Sequence, residues 1–136
     1  MGDPAPDGFL AFPRPESVAA LGHPGLLELG LTRAKAAALH GLALADLDWD
    51  RLRTAPAEEA EAELDALPGI GPWTASYVRM RTLGDRDAFP AADLGVIKAL
   101  RVLLPEPPTP VRIAALAEPW RPWRAYATLH LWHSLG

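Results

Sequence analysis

The sequence contains no cysteine, which excludes disulfides and every thiolate-ligated zinc or iron–sulfur centre. It has no long apolar run, so no transmembrane helix is expected. Its start, Met1-Gly2-Asp3-Pro4, shows neither a basic n-region nor an apolar h-region, which argues against secretion and leads us to expect a cytoplasmic protein. Lysine is scarce, Lys35 and Lys98 being the only two. The formal net charge is −4, and this argues against a generic nucleic-acid binder, which carries a basic surface. A chain that grips phosphates through backbone amides needs fewer cations, so the charge weakens that class without excluding it. Period-two strand alternation is also missing.

What remains is helical. A chain of 136 residues has room for one domain with a real core, and an all-α fold is expected. Residues 1–11 read as an irregular arm, broken by Pro4, Pro6, Gly2 and Gly8; residues 12–136 read as the helical domain. Short helices are expected over 16–21 and 25–29, interrupted at Gly22 and Pro24. Thr32 is a good N-cap for an alanine-rich helix running to about Leu44. A helical turn follows over 48–53, then an amphipathic helix over 57–66 with Ala60 and Leu64 on one face. That helix belongs to an acidic cluster, Glu58, Glu59, Glu61, Glu63 and Asp65, whereas arginines gather later in the chain. Helices are expected over 73–83, over 94–104 with an apolar stripe at positions 94, 97, 100 and 104, over 111–118, and over 123–135.

The most informative stretch is Leu67-Pro68-Gly69-Ile70-Gly71-Pro72-Trp73-Thr74-Ala75. Two glycines permit positive φ and a close backbone approach, and two prolines fix the entry and exit of the turn. Pro72 suits the first turn of a helix, where its missing N–H is not needed. The corner places unpaired amides at a helix N-terminus, where they can hold an anion. A bare Gly-x-Gly would be an ordinary interhelical turn, but the whole nonapeptide is more specific.

About twenty residues on comes Asp87-Ala88-Phe89-Pro90-Ala91-Ala92-Asp93-Leu94-Gly95, and near the end Trp120-Arg121-Pro122-Trp123-Arg124-Ala125-Tyr126-Ala127 with Leu129-His130-Leu131-Trp132. These three blocks, in this order and spacing, resemble the helix-hairpin-helix (HhH-GPD) DNA glycosylases, and most closely their 3-methyladenine DNA glycosylase II branch. The similarity runs from about Phe12 to the C-terminus. It implies base-excision repair of alkylated purines in double-stranded DNA, with Asp93 as the catalytic carboxylate beside an oxocarbenium-like sugar or an attacking water. Asp93 also precedes an apolar helical run, where Asp is among the best N-caps, and the two roles can coexist. Asp85 and Asp87 read as solvated loop or cap residues.

The resemblance places Trp73, Tyr77 and Trp132 in a base pocket, where aromatic faces stack on a flipped base and attract an alkylated, cationic one. Aromatic residues at helical spacing more often fill a core, and Trp120, Trp123 and Tyr126 are assigned there. Related enzymes with lyase activity keep a lysine near position 73; this chain has Trp73, which implies a monofunctional hydrolase. Amides of the hairpin, from Gly69, Ile70, Gly71, Trp73 and Thr74, would hold the DNA backbone, a contact that positions without reading sequence. The family also implies a Na or K ion there, on carbonyls of Asp65, Leu67 and Ile70, and no other cofactor. Arg33 and Lys35 are candidate second phosphate contacts, although a solvated helix face accounts for them more simply. His130 and His133 share a helix face, but no third ligand accompanies them, so no metal is expected.

Members of this branch carry an N-terminal α/β domain and early helices that have no counterpart here, which implies an upstream domain lying outside this chain. A monomer is expected. Two other readings stand beside excision: a non-catalytic helix-hairpin-helix DNA-binding module or inactive glycosylase fragment, and an acidic helical protein-interaction domain.

Overall fold

The computed structural model describes residues 8–136, so most of the expected arm, residues 1–7, lies outside the described residues. The chain divides into two compact units, one running to Leu47 and including Ala66–Ile70, the other formed by Asp48–Asp65 and Gly71–Gly136.

The first unit is a helix pair. Helix α1 spans Pro15–Glu28, with Pro15 in its first turn and Gly22 at φ 68° breaking the helix ahead of Pro24. The two short pieces expected from the sequence are therefore two halves of one kinked element. Helix α2, Arg33–Leu44, opens on Thr32, whose hydroxyl accepts the Lys35 N–H, and it packs along α1. Val18, Leu26 and Ala36 are buried between them, with Leu21, Leu31 and Leu39 around the edge. The turn at Leu67–Ile70 closes through the Ile70 N–H donating to the Leu67 carbonyl at 3.0 Å. Gly69 adopts φ 80° there, a conformation that costs an L-residue about 1–2 kcal/mol.

The second unit carries the remaining helices. Helix α3, Trp49–Thr54, starts at Asp48, which accepts the Arg51 N–H. Helix α4, Ala57–Asp65, buries Ala60 and Leu64 as the pattern required. Helix α5, Pro72–Val78, runs into one π-helical turn, Arg79–Leu83, that stops at a left-handed Gly84. Helix α6 spans Leu94–Leu103, α7 Pro110–Ala117, and α8 Arg124–His133, with a 3₁₀ turn, Glu118–Trp120, before the last. Val96, Ala99, Leu100, Ile113 and Leu131 form the core of α6, α7 and α8. Among the described residues no helix is long and apolar enough to cross a membrane.

Three sequence expectations need correction. The buried stripe of α6 is 96, 99 and 100, not one that starts at 94: Leu94 is 81% exposed. It is the first residue of the helix, and a side chain there leans back past the helix end rather than over a turn. Trp123 and Tyr126 are not core residues; both are about half exposed, at 49% and 50%. Helix α8 buries Ala125, Thr128 and Leu131, which leaves 123 and 126 on the other face, where the Arg86 guanidinium lies 4.9 Å from the Trp123 ring. Trp120 does pack on the core. Asp85 and Asp87 are not freely solvated. Asp85 pairs with the buried Arg79, which also pairs with Glu61. Asp87 pairs with Arg121 and Arg124. Much of the acidic cluster is likewise engaged within the unit, Arg51 bridging Glu59 and Glu63.

Candidate functional site

Asp93 follows the Gly84–Ala92 link, in which Pro90 and the turn bond from the Asp93 N–H to the Pro90 carbonyl, 2.9 Å, aim the chain into α6. Its extended backbone makes it the N-cap of that helix, and its Oδ1 accepts the Val96 N–H at 2.8 Å. A cap at the surface would stop there. Asp93 is 8% exposed, and two indoles converge on it. Trp132, from α8, donates its Nε1–H to Oδ1 at 2.7 Å. Trp73, from the first turn of α5, donates its Nε1–H to Oδ2 at 2.7 Å.

These donors decide the electrostatics. Burial works against the charged form of Asp93, but the N–H groups of Trp132, Val96, Trp73 and Gly95 favour it more strongly and hold the carboxyl below its usual range. Among the described residues no cation pairs with it. The result is a buried, oriented anion stabilised chiefly by neutral dipoles, and it keeps its negative charge available to a developing positive one.

The aromatic surroundings are ordered. Trp73 stacks on Tyr77 with ring centroids 5.3 Å apart and planes within 19°, as expected of residues four apart on a helix. Tyr77 in turn lies 6.1 Å from Trp132. Beside them a recess of about 280 Å³ is lined by Trp73, Ala92, Asp93 and Leu94. Trp73 is 45% exposed and Leu94 is exposed, so the recess opens to solvent between two apolar lips while Asp93 itself stays buried.

The remaining candidates are distributed as follows. Gly71 is the N-cap of α5 with φ −104°, and its carbonyl accepts the Ala75 N–H at 2.9 Å. Pro72 fills the first helical position, and Thr74 is half-buried. Gly69 and Ile70 belong to the Leu67–Ile70 turn of the other unit, as does the Leu67 carbonyl, which already accepts the Ile70 N–H and retains one lone pair for a cation. Asp65 is exposed at the end of α4. Arg33 and Lys35 are exposed on the first turn of α2. His130 and His133 are exposed on α8.

Sequence reasoning missed the indole bonds to Asp93, and it missed Gly95. A Cβ on Gly95 would stand 2.7 Å from Trp132 Cδ1 and 2.9 Å from Asp93 Oδ1. The bare glycine is what admits the indole. The available signal was a glycine in the opening turn of a helix, where it is unfavourable by about 1 kcal/mol relative to Ala.

No family model matches the chain, but individual proteins do. It is 48% identical over 92 residues to the "Probable bifunctional transcriptional activator/DNA repair enzyme AlkA" of Mycobacterium tuberculosis, a match covering 67% of this chain and 16% of that protein. It is 35% identical over 133 residues to the DNA-3-methyladenine glycosylase of Bacillus subtilis, covering 93% of this chain and 44% of the relative. A solved 3-methyladenine DNA glycosylase of Schizosaccharomyces pombe, in complex with abasic DNA, superposes with a TM-score of 0.80 at 26% identity, over 94% of this chain and 65% of that one. The chain therefore spans less than half the length of the two curated relatives.

Proposed function

The chain belongs to the helix-hairpin-helix DNA glycosylases, in the branch of the 3-methyladenine enzymes, and we propose that it excises alkylated purines from double-stranded DNA as a monofunctional hydrolase. The observation that carries this reading is the Asp93 carboxyl, buried and held by two indole N–H groups at 2.7 Å each.

Cleavage of an N-glycosidic bond sends the bonding pair to the departing base and leaves positive charge on the sugar. An anion fixed beside that charge lowers the barrier, and one that is already desolvated has little to reorganise. Asp93 supplies it, or orients the water whose oxygen joins the sugar as its proton is lost. A purine alkylated at N3 or N7 is cationic, a better leaving group that depends less on protonation by an enzyme acid. The faces of Trp73, Tyr77 and Trp132 attract such a base once it is flipped from the stack. No lysine lies in the hairpin motif, and this supports hydrolysis rather than Schiff-base lyase chemistry.

DNA is held, in this reading, by the hairpin. Amides at Gly69, Ile70, Gly71, Trp73 and Thr74 take the phosphate backbone, and carbonyls of Asp65, Leu67 and Ile70 would hold a Na or K ion that neutralises it. Arg33 and Lys35 add a second phosphate contact. The protein acts as a monomer on cytoplasmic DNA, needs no resident cofactor, and works with an upstream domain of the kind its longer relatives have room for.

The test is release of 3-methyladenine and 7-methylguanine from methylated DNA by the wild type and by Asp93→Asn. Release by the wild type alone supports the proposal. Equal release by both removes Asp93 from the chemistry, and DNA binding without release by either makes the chain a non-catalytic hairpin module.

A further inference from the structure

The two oxygens of Asp93 are not equivalent. Oδ1 is held twice, by the Val96 N–H at 2.8 Å and by Trp132 Nε1 at 2.7 Å. Among the described residues Oδ2 accepts one hydrogen bond, from Trp73 Nε1 at 2.7 Å. The two indoles differ as much as the oxygens do. Trp132 packs against both the Val96–Ile113–Leu131 cluster and the Met80–Ala88–Ala125 cluster, so moving it disturbs two parts of the core. Trp73 sits at the rim of the recess, 45% exposed, stacked on Tyr77 and bonded to Oδ2.

We propose that Trp132 is a positioning residue for Asp93, admitted by the missing side chain of Gly95, and that Trp73 is a removable cover over Oδ2, the oxygen presented to the sugar. The inference rests on the glycosylase reading above. The anchored oxygen fixes where the carboxylate points, while the other is screened from water until an entering nucleotide takes the place of the Trp73 N–H. Both bonds are part-buried. The indole of Trp73, however, is 45% exposed and can turn its N–H to solvent, whereas Trp132 is packed against two clusters and has less freedom to find another acceptor. Gly95 completes the device, because only a residue without Cβ leaves the Trp132 ring room to reach Oδ1.

The proposal separates the two tryptophans by experiment. Gly95→Ala puts a methyl carbon against Trp132 and Oδ1, so the bond is lost, and far-ultraviolet circular dichroism with thermal unfolding checks that the fold is retained. We expect kcat to fall by about tenfold to a hundredfold with KM nearly unchanged, the cost of a misplaced catalytic group. Trp132→Phe should do the same. Trp73→Phe keeps an aromatic face but no N–H, and should raise KM with a smaller loss of kcat than Trp132→Phe shows. A Gly95→Ala protein with wild-type kcat, or a Trp73→Phe protein losing more kcat than Trp132→Phe, overturns the proposal.

A readout independent of excision uses the indole Nε1–H resonances of the ¹⁵N-labelled chain. In the free protein, Gly95→Ala and Asp93→Asn should each move the Trp132 resonance, and the Trp73 N–H should exchange with solvent faster than that of Trp132. A Trp132 resonance unmoved by both substitutions, or a Trp73 N–H exchanging more slowly, sinks the division of labour whether or not the chain excises bases. If the resonances behave as expected and no base is released, the glycosylase reading fails and the geometry stands.

Discussion

Gly69 approaches α2 so closely that a Cβ on it would lie 2.7 Å from the Cβ of Ala38. Its φ of 80° adds a second demand for glycine. Gly71, two residues on, has φ −104° and nothing within 4 Å of a built Cβ. The fold therefore requires glycine at 69 and does not require it at 71. Gly69→Ala should destabilise the protein by about 1–3 kcal/mol in urea unfolding, whereas Gly71→Ala should change stability by less than about 1 kcal/mol.

The open space around Gly71 also makes it a clean probe of DNA contact. Gly71→Arg should fold with unchanged far-ultraviolet circular dichroism, yet weaken binding to an abasic-site duplex by at least about tenfold, because the side chain stands where a phosphate must come close. An affinity equal to wild type would take the hairpin out of the interface, despite the extra positive charge that ordinarily favours phosphate.

Asp93 caps α6 as well as forming the site, and the choice of substitution separates the two roles. Asn retains a cap acceptor, so Asp93→Asn should stay within about 1 kcal/mol of wild-type stability, whereas Asp93→Ala should lose about 1 kcal/mol more. Base release should be abolished in both. Thermal unfolding beside a release assay would expose any loss of activity that merely follows loss of fold.

Arg79 is 9% exposed at its side chain, with Glu61 and Asp85 as partners, and its Nε is buried with no hydrogen-bond partner. Removing one carboxylate leaves that charge under-compensated. Asp85→Ala should therefore cost about 2 kcal/mol in denaturant unfolding, well above the half a kilocalorie or so typical of a solvated loop residue. A near-neutral result would restore the solvated reading of Asp85.

Acid should destabilise the protein through two aspartates. Burial opposes charge on Asp87, and the Arg124 and Arg121 guanidiniums overcome it; on Asp93 the indole and amide donors do so. Both carboxyls sit below their ordinary range in the folded state. The unfolded chain binds these protons more readily than the folded one, so the stabilisation is complete above the ordinary Asp range, near pH 4, and is lost as pH falls through the depressed folded values. Melting temperatures between about pH 6 and pH 3 should fall less steeply in Asp87→Asn and Asp93→Asn than in wild type. Base release that depends on ionised Asp93 should likewise persist below the point where an ordinary aspartate is half protonated.

The parts of this architecture that are set locally were legible from the residues. Thr32 caps α2 where a short hydroxyl side chain precedes an alanine-rich run. The hairpin announced itself through the backbone needs of Gly69 and Pro72, and the Trp73–Tyr77 stack through helical spacing. What escaped reading depends on chain segments far apart in sequence. Nothing near Asp93 reveals that Trp132, 39 residues later, will bond to it. Asp87 looked solvated because its partners, Arg121 and Arg124, lie 34 and 37 residues on. The π-helical turn at Arg79–Leu83 contains neither Gly nor Pro, so no local breaker marked it. Leu94 misled because periodicity locates a stripe but not the residue at which the helix begins.

The double use of Asp93 has a consequence for inheritance. On the glycosylase reading, a descendant that no longer excised bases would still unfold more easily without an acceptor at position 93, so selection for the fold alone would keep Asp or Asn there. The aspartate is therefore a weak marker of activity among relatives. Gly95 is a better one: α6 would be a sounder helix with alanine in its place, and in this structure the glycine's use is to let the Trp132 indole reach the carboxylate. A lineage freed from the chemistry would be expected to give up that glycine before it gives up the acid.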